Sequence, residues 1–106
     1  MGRIRGYYPK ELVVRSGFSG KGDGEITFKE KMAALCIHNK GIFPFTFTTI
    51  KEINGSEVPL FTFTLDPGET FYERIELFQK IKIKGKGYGG AKYGGWVSYL
   101  YPYTND

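Results

Sequence analysis

The sequence has little of the chemistry that catalysis and metal binding use. Its 106 residues include one cysteine and one histidine. Cys36 has no partner for an intrachain disulfide, so the fold does not depend on an oxidising compartment. Cys36 and His38 lie two residues apart on one face of a predicted strand, but zinc and copper need three or four ligands, and a thiol catalyst places its base across a cleft. We therefore expect no catalytic residue, no metal site and no cofactor, and we do not expect an enzyme.

Long apolar runs are also missing. No stretch approaches the roughly 18 to 20 consecutive apolar residues of a membrane-spanning helix. The first residues, MGRIRGYYPKEL, contain two arginines without a following apolar segment, so we expect no secretory signal peptide. These absences predict no membrane span and a location in the cytoplasm or in a virion. Gln is rare while Lys and Glu are common, a balance that leans towards a thermophilic source.

The positive charge is concentrated near the carboxyl end. Residues 1 to 76 hold ten Lys or Arg and ten Asp or Glu, whereas residues 77 to 106 hold five Lys and one Asp, an excess equal to the net charge of +4. The same segment contains six Gly, five Tyr and the only Trp. Any special binding property of the protein is therefore expected in this segment.

The dominant hydrophobic period is two, which is the period of a β-strand with one buried face. Phe alternates with Thr in IFPFTFTTI and again in LFTFTL. Between them stands Asn54-Gly55, the preferred pair for a type I′ turn. We therefore predict strands near residues 43 to 53 and 57 to 65, paired antiparallel.

Further segments follow the same alternation, and turn signals separate them. Asp66-Pro67-Gly68 predicts a tight turn. The glycine-rich residues 17 to 24 lack the spacing of a phosphate-binding loop and predict a flexible connection. The additional predicted strands lie near residues 33–37, 71–77 and 80–84, with weaker candidates at 12–15, 25–29 and 96–101. Short strands at this spacing predict a single all-β domain over residues 1–106, a sandwich or barrel, with a Gly/Tyr-rich loop at residues 85–95.

A resemblance to a known family rests on the middle of the chain. Residues 35 to 41, LCIHNKG, are followed by Pro44, the Phe/Thr strand, Asn54-Gly55 and the corner LDPGE at residues 65 to 69. This succession resembles the CARDB-type immunoglobulin-like domains over roughly residues 30 to 77. The resemblance implies an immunoglobulin-like antiparallel β-sandwich of about seven to eight strands, used as a spacer or contact module. The chain departs from that family after residue 77, where the family has an acidic, asparagine-bearing strand pair.

The carboxy-terminal segment supports a protein-contact function. Glycines allow close approach between subunits, and Tyr and Trp are favoured at interfaces. We predict a non-catalytic structural or interaction module, a small building block, cement or adaptor in a viral particle or surface structure, that self-associates or binds a protein partner. The predicted partner-binding residues are Tyr88, Tyr93, Trp96, Tyr99, Tyr101 and Tyr103. A plain alternative is that Trp96, Tyr99 and Tyr101 belong to a closing strand packed on the Phe face.

The lysines of this segment allow other interpretations. Alternating lysines would form a row with a spacing of about 6.5 to 7 Å, and nearby aromatic rings could stack on bases. The alternative function is thus single-stranded nucleic-acid binding through Lys80, Lys82, Lys84, Lys86 and Lys92. Lys is also the residue that protects a solvent-facing edge strand, so the row could serve only that purpose.

Overall fold

β-Strands account for most of the chain that the structure describes. A computed structural model describes residues 13–85 and 90–100 and contains no helix among them. The strands form one antiparallel sheet in the order β1-β6-β2-β5-β3-β4. Their bounds are β1 Val13–Lys21, β2 Gly24–Asn39, β3 Phe45–Ile53, β4 Ser56–Leu65, β5 Thr70–Gly85 and β6 Lys92–Leu100. The all-β prediction is confirmed, and within these residues no helix is available to cross a membrane.

The described residues form six strands, fewer than the predicted seven to eight, because two long strands each contain two predicted ones. β2 spans the segments near 25–29 and 33–37, and β5 spans those near 71–77 and 80–84. The pairing of β2 with β5 shifts register between Thr27 and Met32 and again between Met32 and Ala34. An irregularity of this kind interrupts the two-residue alternation without ending the strand. The sequence pattern therefore suggested strand ends where the chain only bends.

The predicted flexible connection at residues 17–24 is wrong for most of its length. β1 continues to Lys21 and pairs with β6 along its whole length. A Cβ atom on Gly20 would lie 2.6 Å from the hydroxyl oxygen of Tyr93, so the glycine makes room for that ring. Of the predicted loop at 85–95, Gly85 belongs to β5 and residues 92–95 belong to β6, while residues 86–89 lie outside the described part.

Both predicted tight turns are confirmed. Asn54 and Gly55 have φ angles of 53° and 82°, as a type I′ turn requires, and they join β3 to β4. Gly68 has a φ of 86°, and the amide of Glu69 donates to the carbonyl of Asp66 at 3.0 Å. These turns fix the register of β3 on β4 and the entry into β5.

The sheet folds over onto itself because β2 and β5 bend. The first half-sheet consists of β1, β6, residues 34–39 of β2 and residues 70–74 of β5. The second half-sheet consists of residues 24–27 of β2, residues 80–85 of β5, β3 and β4. β6 lies between β1 and β2, although only residues 22 and 23 separate those two strands in the sequence.

The core lies between the two half-sheets. Phe45 of β3 meets Tyr93 of β6 with ring centroids 5.9 Å apart, and Phe47 meets Phe71 of β5 at 5.2 Å. β3 does not pair with β6, and the register partner of Phe47 on β5 is Ile83 and not Phe71, so both ring contacts require the sheet to fold. The buried cluster comprises Met32, Leu35, Ile37, Phe45, Phe47, Leu65, Phe71, Phe78, Ile81, Ile83, Ala91, Tyr93 and Val97.

Asn39 ties the end of β2 to the segments that follow it. Its side-chain amide donates to the carbonyls of Phe43 at 2.9 Å and Leu65 at 3.0 Å, and its Oδ1 accepts from the amide of Gly41 at 2.8 Å. Its backbone carbonyl accepts from the amide of Gly68 at 3.0 Å. Because Asn39 is buried, these bonds are needed to offset the loss of water. The residue fastens the corner at residues 66–69 to the sheet.

Gly95 provides a stability test, because β6 approaches the backbone of β2 too closely for a side chain there. A Cβ atom on Gly95 would lie 1.9 Å from the carbonyl oxygen of Cys36, whereas one on Gly17 would meet nothing closer than 3.8 Å. We expect Gly95→Ala to lower the free energy of unfolding by about 3 kcal/mol, measured by urea denaturation. The matched control, Gly17→Ala on the paired strand, should change it by less than about 1 kcal/mol. Equal effects would contradict the close approach.

Thr49 provides a second test, because its hydroxyl is fully buried and has no hydrogen-bond partner in the described part of the chain. Valine has nearly the same shape and removes the unpaired group. We expect Thr49→Val to raise the free energy of unfolding by about 1 kcal/mol. Thr48→Val is the control, because the Thr48 hydroxyl lies 3.0 Å from that of Thr62 and its loss should bring no gain. Destabilisation by Thr49→Val would mean that the hydroxyl has a partner.

Candidate partner-binding surfaces

The predicted aromatic residues of the carboxy-terminal segment lie on different faces of the sheet. Tyr93 is 6% exposed and belongs to the core, and burial raises the pKa of its phenol. Tyr99 is partly buried against the same core. Trp96 has the opposite strand parity and is partly exposed on the outer face. Tyr93 and Tyr99 therefore serve packing. For Tyr99 this agrees with the closing-strand alternative, whereas Trp96, which that alternative also placed on the core, lies on the outer face. Tyr88, Tyr101 and Tyr103 lie outside the described residues.

Trp96 is the centre of a cluster on the outer face of the first half-sheet. The guanidinium carbon of Arg15 lies 4.5 Å from the centroid of the indole, and the Tyr72 ring meets it edge-on at 5.2 Å. Cys36 is the register partner of both Trp96 and Tyr72, so a small side chain lies between the two rings. No local sequence pattern indicates Tyr72 and Arg15 as site residues, because the strand order that brings β1 and β5 to β6 and β2 is not encoded in local alternation.

The same outer face is basic. Lys21 and Lys92 are direct partners at one end of the β1–β6 pair. The side chain of Lys40 lies across Gly94, where a Cβ atom would be 2.8 Å from its Cε and Nζ. The outward positions of this half-sheet in the described chain carry no carboxylate; they are Arg15, Gly17, Ser19, Lys21, Ala34, Cys36, His38, Thr70, Tyr72, Arg74, Lys92, Gly94, Trp96 and Ser98. We call this set, with Lys40, the basic face.

The predicted lysine row lies elsewhere and is largely neutralised. Lys80 contacts the carboxylate of Glu57 and lies 3.3 Å from that of Glu25. Lys82 lies 3.3 Å from Glu57 and 3.7 Å from Glu25. The hydrogen bond from Lys80 lowers the pKa of Glu57, and the bond to Glu57 raises the pKa of Lys80. Two of the predicted nucleic-acid-binding lysines are thus paired with carboxylates on their own face, and Lys84 beside them is exposed.

The interpretation of the row as a protected edge strand is wrong. β5 lies between β2 and β3, and residues 80–83 are paired on both sides. A groove of about 550 Å³ beside the row is lined by both signs of charge, including Asp23, Glu25, Lys82 and Lys84. Among the remaining predicted lysines, Lys92 belongs to the basic face, and Lys86 lies outside the described residues. The structure therefore brings Lys92 together with Trp96 and separates both from the row.

Cys36 and His38 share the basic face, as their spacing predicted. The Nδ1 atom of His38 lies 2.6 Å from the hydroxyl oxygen of Thr70. Partial burial raises the pKa of the Cys36 thiol, although the positive charge of Arg15 acts in the opposite direction. In residues 13–85 and 90–100, no three side chains of His, Cys, Asp or Glu come together as metal ligands would.

A third surface is an open aromatic rim at the edge of the second half-sheet. Among the described strands β4 pairs only with β3, and Phe61 and Phe63 on it are 37% and 42% exposed. Their rings are stacked with centroids 6.1 Å apart, and each also contacts the buried rings of Phe47 and Phe71. The rim, defined as Phe61 and Phe63, is the core face of β4 that the first half-sheet does not cover.

No protein-family model, curated protein or solved structure matches this chain. The resemblance to CARDB-type domains therefore stays a prediction, and the function has to be argued from the surfaces themselves.

The raised pKa of Cys36 predicts a poorly reactive thiol. The thiolate is the nucleophile, so at pH 8 Cys36 should be alkylated more slowly than free cysteine, and the rate should rise as the pH approaches and passes 9. Arg15→Ala removes the charge that lowers this pKa and should slow alkylation further. Mass spectrometry of iodoacetamide-treated protein measures the rate, with Cys36→Ser as the blank. Faster alkylation than free cysteine would contradict the assignment.

Proposed function

We propose that the protein is a non-catalytic interaction module, a small building block, cement or adaptor of a larger protein assembly that associates with copies of itself. The observation that carries the proposal is the open rim on the free edge strand β4. Phe61 and Phe63 together expose a stacked aromatic pair that is already fixed in place by buried rings. Preorganised aromatic side chains are what protein interfaces use as anchors.

One part of the β4 edge lacks the features by which sheets prevent unwanted pairing. Residues 60–65, LFTFTL, contain no charge and no proline, whereas protected edge strands carry Lys, Pro or inward-pointing charges. Pro59 stands at the start of this stretch, and Glu57 beyond it is neutralised by Lys80 and Lys82. Residues 60–65 therefore form a neutral edge that a further strand can join.

A second copy of the chain is the partner that best fits this edge. An antiparallel strand pair has two-fold symmetry, so β4 of one copy can pair with β4 of another. Such pairing places Phe61 and Phe63 of the two copies beside each other and removes both rims from water. The uncharged stretch brings no like charges together across the axis.

The proposal includes a fold family and a location for the protein. We propose that the two packed half-sheets are an immunoglobulin-like sandwich related to CARDB-type domains. Support comes from Asn39 and the corner at residues 66–69, two parts of the quoted motif, which are joined by backbone hydrogen bonds. A building block of a viral particle or surface structure would act in the cytoplasm or the virion, and we include these locations in the proposal.

The alternative, nucleic-acid binding through the lysine row, has less support from the geometry. Lys80 and Lys82 each face Glu25 and Glu57. A phosphate backbone approaching the row would meet those carboxylates. The row is therefore a weaker anion site than its sequence suggested.

The proposal is tested by the oligomeric state. Phe63→Lys places a charge in the rim, and we expect this variant to sediment as a monomer at concentrations where the wild-type protein forms dimers. Ile42→Lys is the matched control, because Ile42 is 81% exposed in the β2–β3 connection and is not part of the rim. This variant should dimerise like the wild type. Analytical ultracentrifugation across a concentration series measures the association.

Two results would contradict the proposal. One is a wild-type protein that stays monomeric at every concentration, and the other is equal weakening by both Lys substitutions. Circular dichroism verifies that Phe63→Lys remains folded, and Phe61→Ser gives a second, milder change in the same rim. Loss of dimers in both rim variants, with the control unaffected, supports β4 as the contact.

A further inference from the structure

We propose that the basic face of the first half-sheet binds single-stranded nucleic acid, with Trp96, Tyr72 and Arg15 as the base-contacting residues. This inference does not depend on the β4 rim, which lies in the other half-sheet. It also differs from the interpretation based on the lysine row, because Lys92 is the only lysine that the two sets share.

The charge of the basic face favours a polyanion as its ligand. Arg15, Lys21, Lys40, Arg74 and Lys92 are all exposed, and none of them forms an ion pair with a described carboxylate. The lysine row shows the opposite arrangement, with carboxylates on its own face. A face with five cations and no carboxylate attracts a polyanion.

The shape of the basic face suits a single strand. The outward positions around the rings are mostly small, including Gly17, Ala34, Gly94 and Ser98. The side chain of Lys40 runs over Gly94, with its Cε and Nζ 2.8 Å from where a Cβ atom would stand. Ala34, Gly94 and Ser98 are themselves buried, so these small positions form a low floor from which the larger side chains of the face project. A single strand with splayed bases fits such a surface, whereas a duplex keeps its bases stacked inside.

The rings of Tyr72 and Trp96 are arranged so that unpaired bases can stack beside them. Tyr72 is 61% exposed, so its ring is available for stacking on a base. Trp96 carries the guanidinium of Arg15 over its ring, and guanidinium planes also stack on unpaired bases. Base stacking on aromatic side chains is the usual sequence-tolerant contact of single-strand binders.

The cations are placed where the phosphates of such a strand would run. Lys92 and Trp96 are four residues apart on β6, which corresponds to about 13 Å. Lys21 and Lys40 flank Lys92 at that end. At the other end Arg15 lies beside the rings, and Arg74 follows Tyr72 on β5. An acidic peptide would match the charge, but it would leave the exposed rings without a stacking partner.

The experiment uses fluorescein-labelled oligothymidylate of about 16 nucleotides, with binding followed by anisotropy over a salt series. Trp96 is the only tryptophan in the chain, so stacking near it should quench the intrinsic protein fluorescence in parallel. We expect Tyr72→Ala to weaken binding at least about fivefold, whereas Tyr72→Phe, which keeps the ring, should bind like the wild type.

The lysine contribution is tested with two matched triple variants. Substitution of Lys21, Lys40 and Lys92 by Ala should reduce the log–log salt slope by about 2, because each phosphate contact to a single strand contributes about 0.7. Substitution of Lys80, Lys82 and Lys84 by Ala removes the same charge and should leave the slope within about 0.5 of the wild-type value.

Several outcomes would overturn the inference. They are the absence of binding and quenching at low salt, equal effects of the two triple variants, or binding that Tyr72→Ala leaves unchanged. Tighter binding to polyglutamate, to duplex DNA, or to vesicles of phosphatidylserine and phosphatidylcholine in equal parts would assign the face to one of those partners instead. The Phe63→Lys variant should retain full nucleic-acid binding, so a failure of the assembly proposal is distinguishable from a failure of this one.

Discussion

The described part of the chain has no helix to cover the sheet, so the sheet buries one face within a single copy by folding onto itself. The core and both proposed surfaces depend on the two strands that make this fold. β2 and β5 are each 16 residues long and belong to both half-sheets, with pairing irregularities between them where the sheet turns. A bulged strand can change direction without losing its neighbours. The bend brings Phe45 and Phe47 onto Tyr93 and Phe71, and these contacts between residues that are not neighbours in the sheet supply the hydrophobic stabilisation that a flat sheet would lack.

The same bend decides which surfaces remain available. β4 extends beyond the cover of the first half-sheet, so Phe61 and Phe63 keep the core parity but stay partly in water. On the other side, the basic face collects cations from β1, β5 and β6 and from Lys40 just after β2, because β6 lies between β1 and β2. An apolar rim and a basic face thus arise at separate places in one small domain. Their separation allows the two contacts proposed for them to operate independently.

Local sequence patterns predicted the strands and turns well and the surfaces poorly, for a physical reason. The Phe/Thr alternation and Asn54-Gly55 identify the β3–β4 hairpin, since both signals act over a few residues. The continuity of β2 and β5 was missed, because a bulge reverses the alternation and resembles a strand end. The glycines of β1 suggested a loop, because the ring for which Gly20 makes room, that of Tyr93, is about seventy residues away in sequence. For the same reason Lys80 and Lys82 looked like a free cationic row, because the carboxylates that pair with them, Glu25 and Glu57, come from other strands. Tyr72 and Arg15 join Trp96 only through the strand order, which no local pattern specifies.

The place of β6 has a consequence for how the protein folds. β1 and β2 are consecutive in sequence, yet they do not pair, because β6 fills the position between them. Neither strand can pair with β6 until that segment, about seventy residues further along the chain from β1, is available, as the pairing of Lys21 with Lys92 illustrates. Pairings this distant slow folding, because the loop must close before any contact compensates for the lost entropy. During synthesis the β3–β4 hairpin can therefore pair early, because its two strands are adjacent in sequence. β1 and β2 lack their shared neighbour until β6 has been made. In that interval a strand from another nascent chain could occupy the position of β6.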